Sequence, residues 1–335
     1  MVIGYIHGTG MCTPVGCSAA ASCAAIRCGL DGYVQSADLF DRWGAPLTTA
    51  PLPLFEKALP EADLLLSNVL NEAAQDSGLQ RVERASITFL APLAGRHPSR
   101  FGGNKVNDFS DRLRKSRPSV NIEVSETGPA GLGLILKRLQ NVIRIDPDTP
   151  RFIVGLDSLL SLDIIESLEQ EDRVRDTTRP RGLIPGEACG AIVLTGRSTS
   201  RQSLAVLGCG TATEPGTLFG DIPNVSEGYT SAVMTALDES GLQASDIASV
   251  YIDLNGEEGK FHEWGLLWSR LFEELTIVHP ADCIGDVGAA TMPILVGLAD
   301  MAWRKGYASG PYAAVIAGSD DGLRSCVILG KEGSA

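Results

Sequence analysis

Apolar and polar positions alternate along this chain in two rhythms, one of helical period and one of short β-branched runs. Leu64, Leu65, Val69, Leu70 and Ala73 stand at helical spacing within Ala62–Ser77, and Gly78 follows as a C-terminal stop. Ala85–Leu90 is apolar and β-branched and reads as a strand. Gly128–Gln140 carries Leu132, Leu134, Ile135, Leu136 and Leu139, apolar nearly all round, which predicts a helix buried between layers. Arg151–Gly155 supplies another short strand. The same succession returns as Tyr229–Ser240, Ala248–Leu254, Gly288–Trp303 and Tyr312–Gly318.

The return is a repeat in residues as well as in rhythm. Asp76-Ser77-Gly78-Leu79-Gln80 recurs as Glu239-Ser240-Gly241-Leu242-Gln243, 163 positions on. At the same offset Ala85-Ser86-Ile87 falls on Ala248-Ser249-Val250, and Val154-Gly155-Leu156-Asp157 falls on Ala317-Gly318-Ser319-Asp320. Gly8-Thr9-Gly10 matches Gly208-Cys209-Gly210 at 200, and Gly190–Leu194 matches Ser325–Leu329 at 135. The differing offsets place 37 extra residues between Gly10 and Asp76 and 28 between Asp157 and Gly190. Alternating strands and helices in two copies predict a layered α/β protein, two sheets around central helices, with units 1–198 and 203–332 joined by the Ser/Thr/Arg-rich segment Thr195–Ser203.

Composition narrows the class. With 335 residues, 44% apolar, 21% charged, 37 Gly and 18 Pro, the chain is neither disordered nor collagenous. Forty-one acidic against 28 basic residues give a net charge of −13, which disfavours nucleic acid and anionic membranes as partners. The eight cysteines include no Cys-x-x-Cys pair and lack the neighbouring histidines of a metal site, so a reduced, cytoplasmic protein with core thiols and no cofactor is expected. Met1–Ile26 carries no Lys, Arg, Asp or Glu, so a basic n-region is absent, and Gly8, Gly10, Pro14 and Gly16 interrupt its apolar run, so it reads as strand, turn and helix and not as a signal peptide. No apolar run is long enough to span a bilayer.

Several segments carry a resemblance to the thiolase fold, specifically to β-ketoacyl-ACP synthases. Ile6–Gly16 is similar to that family's opening strand and turn, and Pro185-Gly186-Glu187-Ala188-Cys189-Gly190-Ala191-Ile192-Val193-Leu194 to its P-G-E-G-A-G-x-x-V-L segment. Asp246–Gly256 resembles the strand leading into the H-G-T motif, and Gly285-Asp286-Val287-Gly288-Ala289-Ala290 resembles the G-H-x-x-A-A helix start. The resemblance implies a layered αβαβα fold of two related halves. It also implies a nucleophilic cysteine at the N-terminus of the central helix, activated by the helix dipole, and two histidines that stabilise an enolate. Carried over residue by residue, these positions fall on Gly128, Asn255 and Asp286, none of which keeps the family's chemistry. The glycine-rich Gly-Phe-Gly-Gly loop reads Ser319-Asp320-Asp321-Gly322, without its aromatic gate.

Ser125 and Thr127 are the fallback nucleophiles, although no histidine aligns opposite them. Glu187, in full motif context behind Pro185 and Gly186, is expected to hold backbone. His7, His97, His262 and His279 are read as surface or strand residues, Cys12, Cys17, Cys23 and Cys28 as apolar contacts in the first helix, and the Trp264, Trp268, Phe272 stripe as core or dimer contact. Two basic clusters, Arg112, Arg114, Lys115, Arg117 and Arg173, Arg175, Arg179, Arg181, offer a residual docking face for acyl carrier protein or a solvated loop. The resemblance also implies a homodimer paired through an edge strand beside the nucleophile helix, here around 120–124, where Val120, Ile122 and Val124 alternate with Asn121 and Glu123 and leave one apolar face. The function expected from the resemblance is that of a degenerate synthase acting as a structural, adaptor or specificity subunit. The alternative is an acyl-binding or acyl-transfer enzyme with a non-cysteine site, with Glu126, Asp286 or Asp320 as acid or base.

Overall fold

The computed structural model describes residues 2–53, 61–79, 84–96, 101, 103–198, 203–218 and 220–331, with the side chains of 103 and 104 left aside. His97, Gln80, the centre of the expected join and residue 332 lie outside the described residues. The first half contributes β1 (Gly4–Cys12), α1 (Ala19–Arg27), β2 (Val34–Phe40), β3 (Pro46–Thr49), α2 (Ala62–Asp76), β4 (Ala85–Ala91), α3 (Gly103–Ser116), β5 (Val120–Glu126), α4 (Gly131–Ile145), β6 (Arg151–Ser158), α5 (Leu162–Gln170) and β7 (Glu187–Thr195). The second contributes β8 (Leu204–Thr213), α6 (Glu227–Ser240), β9 (Ser249–Ile252), α7 (Glu258–Leu271), β10 (Thr276–Val278), α8 (Ala281–Ile284), α9 (Thr291–Arg304), β11 (Tyr312–Gly318) and β12 (Leu323–Lys331).

Among these residues ten strands hydrogen-bond in the order β10-β9-β11-β12-β8-β1-β7-β6-β4-β5. The expected two sheets are therefore two five-stranded halves of identical order, joined where Gly4–Ile6 pairs antiparallel with Leu204–Val206. Three apolar clusters show the layering. One lies between the halves and includes Leu132, Ile135 and Leu136 of α4 and Ile294, Leu295 and Leu298 of α9. The second lies under α2 and α3, and the third under α6 and α7. The result is αβαβα.

The glycines of β1 and β8 are dictated by this packing. A Cβ on Gly10 would sit 2.2 Å from the Val69 carbonyl oxygen of α2, and one on Gly210 would sit 1.8 Å from that of Ala232 in α6, so only glycine lets helix and strand approach. An acid on each helix then binds the strand between the glycines: the Thr9 amide donates to Asp76 at 2.9 Å and the Cys209 amide to Glu239 at 2.7 Å. Strand register preserves the offsets of 200 and 135, since Thr9 pairs with Ile192 as Cys209 pairs with Val327.

The offset of 163 slips by one at β6 and β11. Ile87 pairs with Phe152 while Val250 pairs with Ala314, an offset of 162, so Asp157 corresponds to Ser319 and not to Asp320. A one-residue slip exchanges the two faces of a strand, which is why the packing settles it. Helix boundaries also differ from expectation. Gly128 lies in a left-handed conformation (φ +63°) three residues before α4, as Gly288 (φ +52°) does before α9, with a 3₁₀ turn intervening at Gly288–Ala290. Up to Gln140 α4 lies between the layers as expected, and beyond that span it exposes Val142 and Ile145, whereas α9 is buried nearly all round. In α2 it is Leu66 that joins Leu65, Val69 and Ala73 in the core, while Leu64 is exposed.

Only Cys23 of the first four cysteines is a buried residue of α1; Cys12 ends β1 and Cys17 and Cys28 are exposed. All eight are free thiols. No helix among the described residues is long and apolar enough to cross a membrane, and they hold no group of three or more His, Cys, Asp or Glu able to take a metal ion.

Candidate functional site

The loops at one end of the two half-sheets converge where the expected site residues fall. The segment Ile184–Gly186 forms a short bridge with Asp286, whose amide donates to the Ile184 carbonyl at 2.8 Å while the Gly186 amide donates to that of Asp286 at 2.9 Å. Glu187, fully buried, accepts from the Leu52 amide at 3.0 Å and the Ser158 hydroxyl at 2.9 Å. The Pro185-Gly186-Glu187 motif thus holds the loop that carries Asp286.

Asn255 and Asp286 come together. Asn255 Nδ2 donates to Asp286 Oδ2 at 2.6 Å and to Glu257 Oε2 at 2.8 Å, and its Oδ1 accepts from the Glu257 amide at 3.1 Å. Both amide hydrogens are therefore engaged by carboxylates, which leaves neither for a ligand. Asp286 Oδ1 accepts from the Gly288 amide at 2.9 Å. Gly128 lies on the other side of the same region. Ser319 Oγ spans its loop, donating to the Thr127 carbonyl and accepting from the Ala130 amide, each at 3.0 Å. A Cβ on Gly128 would meet Leu93 Cγ at 2.9 Å and Ser319 Oγ at 3.2 Å. Asp157 closes the loop before α9 in the corresponding way, accepting from Ala289 at 3.0 Å.

Between these loops lies a cavity of about 110 Å³, lined by apolar Leu93, Pro129, Leu159 and Ile164 and by charged Arg96, Arg173, Lys260, Asp286 and Asp320 among others. Its charges are matched internally. Arg173, only 8% exposed, bonds Glu257 at 2.7 and 3.2 Å and Asp320 at 2.9 and 3.1 Å. Lys260 bonds Asp253 at 2.7 Å, and Asp253 also receives the Tyr229 hydroxyl and the Gly318 amide. Burial favours neutral Lys260, but Asp253, Asp286 and Glu257 outweigh it and hold the ammonium protonated, so it offers no amine nucleophile. Burial likewise raises the Asp320 carboxyl, but Arg173 beside it wins and keeps the group below its ordinary value. Arg96 donates to buried Asp157 at 2.6 Å.

Ser125 Oγ and Thr127 Oγ1 are 3.4 Å apart, and neither has a base beside it among the described residues. Glu126 is exposed at the end of β5. A cysteine does approach the first turn of α4, which sequence distance concealed: Cys209 Sγ lies 3.3 Å from the Gly133 carbonyl oxygen. Burial, with Glu239 adding, pushes that thiol up to about 12, so it is not a thiolate at neutral pH.

The reading of Arg173 needs correction, while His7, His262 and Trp264 fall within theirs. Arg173 is the buried centre of the ion network and no part of a docking face, Arg179 pairs with Asp172 at 2.5 Å and Arg181 with Glu258 at 3.2 Å. His262 is exposed on α7, yet it lines a second cavity of about 260 Å³ that shares Arg173, Lys260 and Asp320 with the first. His7 is a buried residue of β1, with Nε2 2.8 Å from Thr195 Oγ1. Trp264 is core, packed on Trp268 and Phe272 at 5.6 and 6.1 Å. Arg173, Asp253, Glu257, Lys260 and Ser319 were not foreseen at the site. The clustering of Asp253, Glu257, Glu258 and Lys260 around Asn255 was the signal available for it.

The fold is that of the thiolase-like ketosynthases. No protein-family model and no curated protein matches the chain. Among solved structures it is similar to the ishigamide ketosynthase/chain length factor, at 16% identity and a TM-score of 0.77, over 98% of this chain and 99% of that one. It is similar to AntDE:AntF, a type II PKS acyl-carrier protein in complex with its ketosynthase bound to the hexaketide, at 14% identity and a TM-score of 0.77, over 98% of both chains. It is also similar to the ketosynthase ApeO in complex with its chain length factor ApeC from Xenorhabdus doucetiae, at 13% identity and a TM-score of 0.76, over 98% of both.

Proposed function

We propose that this chain is a catalytically degenerate ketosynthase-like protein, working in the cytoplasm as a structural, adaptor or specificity subunit, with 1–198 and 203–332 as its two units. The observation that carries the reading is the mutual engagement of Asn255 and Asp286. Enolate formation places negative charge where donors must wait, and here a carboxylate occupies the place while the amide beside it spends both hydrogens on carboxylates. Gly128 supplies no attacking atom, and the charges around the cavity are satisfied by one another.

The partner in this reading is a protein. Among the described residues β5 ends the sheet and pairs with β4 alone, and Val120, Ile122 and Val124 alternate with exposed Asn121 and Glu123, which supports pairing across that edge, as a homodimer or with an active synthase. The titles of the similar structures, a ketosynthase with its chain length factor and a ketosynthase with its acyl-carrier protein, support such company for this chain.

Intact-mass analysis after incubation with acyl-ACP or acyl-CoA and a malonyl extender tests the proposal. No acyl adduct and no carbon dioxide above background are expected. An acyl mass mapped to Ser125 or Thr127 would falsify it and establish the acyl-transfer alternative.

A further inference from the structure

The outer faces of the two halves carry corresponding helices over corresponding strands, but the space beneath them is filled differently. Ile87 pairs with Ile122 in the first half as Val250 pairs with Ile277 in the second. α3 and α7 are both fourteen residues long and begin 19 residues before Ile122 and Ile277 respectively, which sets Phe109, Leu113 and Arg117 at the positions of Trp264, Trp268 and Phe272. In the second half the three rings pack on one another and close the layer. In the first half Phe109 keeps its contact with Phe89 at 6.0 Å, but Leu113 and Arg117 stand where the other two rings would be. A cleft of about 570 Å³ remains between α2 and α3.

Its chemistry is lopsided. Ile87 and Phe152 form the floor, Leu70 and Ala74 with the polar Ser67, Asn71 and Gln75 the α2 wall, Phe109 and Leu113 the α3 wall, and no Asp or Glu among the described residues lines it. Among the described residues Arg117 is the only cation lining it. Arg112 is bonded to Asp63 and Arg114 to Asp111, whereas Arg117 has no acidic partner among the described residues. A guanidinium without an acidic partner among the described residues, beside a cleft with an apolar floor and in a chain of net charge −13, selects a ligand with an apolar body and one negative end. The volume lies within the roughly 300–1,000 Å³ of small-molecule sites. We infer that the cleft between α2 and α3 binds an aliphatic carboxylate, its chain over Ile87 and Phe152 and its head on Arg117. The site lies on the opposite face of the sheet from Gly128 and does not depend on the function proposed above.

Isothermal titration with sodium decanoate, decan-1-ol and decylamine tests this on the full chain. Decanoate is expected to bind one per chain, at least tenfold more tightly than decylamine. Arg117→Ala, at an exposed position, weakens decanoate at least tenfold and leaves decanol unchanged. Leu113→Trp, which restores the ring found at Trp268, abolishes both; should that variant not fold, the Arg117→Ala comparison decides alone. Failure of decanoate to bind, equal binding of decanoate and decylamine, or indifference of decanoate to Arg117→Ala overturns the inference. So does a concentration-dependent doubling of mass in light scattering that Leu113→Trp removes while decanoate does not bind, since the cleft then belongs to a second copy.

Discussion

Replacing Arg173 with methionine removes the cation that ties three loops from both halves of the molecule while keeping most of its apolar volume. The guanidinium follows α5, and its partners precede α7 and sit in the turn between β11 and β12. Deleting one member of a buried ion pair costs about 3–5 kcal/mol, because the remaining charge is left without compensation. The two partners do not weigh equally. Glu257 is 11% exposed and bears most of the loss, whereas Asp320 is 45% exposed, so water screens its share toward the ~0–1 kcal/mol of surface pairs. Arg173→Met is therefore expected to destabilise the protein by about 3 kcal/mol, a fall of roughly 6 °C in Tm at ~2 °C per kcal/mol for a chain of this size.

The decisive comparison is the double variant. Arg173→Met with Glu257→Gln removes the stranded charge as well, so it should regain about half of the loss in urea unfolding followed by circular dichroism. The dependence on pH adds a second check. The Asp320 pKa is depressed in the folded state, so its stabilising contribution is complete above the ordinary value of 3.8 and is lost as pH falls through the folded value. The gap between wild type and Arg173→Met should accordingly be full at neutral pH and narrow below about pH 4. An Arg173→Met protein within about 1 kcal/mol of wild type at pH 7, or a double variant no more stable than the single, refutes the account of Arg173 as a buried clamp.

Two further outcomes follow from other parts of the structure. Gly128→Cys restores a thiol but forces a side chain into φ +63° against Leu93 and Ser319, so thermal unfolding should show a loss of about 1–2 kcal/mol; malonyl decarboxylation should remain at background, and any clear release of carbon dioxide contradicts the role given to Asp286. Asp300, buried on α9 with Arg304 at 2.8 Å, has a pKa raised to about 7, burial outweighing the guanidinium. The folded state then holds a proton that the unfolded state gives up, so wild-type stability should decline as pH rises from about 4 to about 7, and Asp300→Asn should flatten that decline in a pH series of chemical melts.

Much of the architecture was legible in local residue patterns. Gly8, Gly10, Gly208 and Gly210 announced the two equivalent strands because close approach of a helix backbone leaves room for no side chain, a demand that acts on single residues and so persists in the sequence. Helical spacing in the same way marked α2 and α6. Register, face and charge pairing were settled elsewhere. The linear match at 163 sets Gly155 on Gly318 and Asp157 on Asp320, whereas the sheet sets them on Ala317 and Ser319; this one-residue slip turns every side chain of the strand to the other face, and only neighbouring strands specify it. Gly128 was placed correctly in order but not in conformation, since the start of α4 depends on Ser319 from the second half. Arg173 looked like one arginine of a solvated run because its partners Glu257 and Asp320 lie 84 and 147 positions away. Sequence periodicity carries which positions are apolar and which backbones must come close. Which cation meets which carboxylate is decided when two halves of a chain fold against each other, because the pairing energy depends on burial and separation that no local pattern contains.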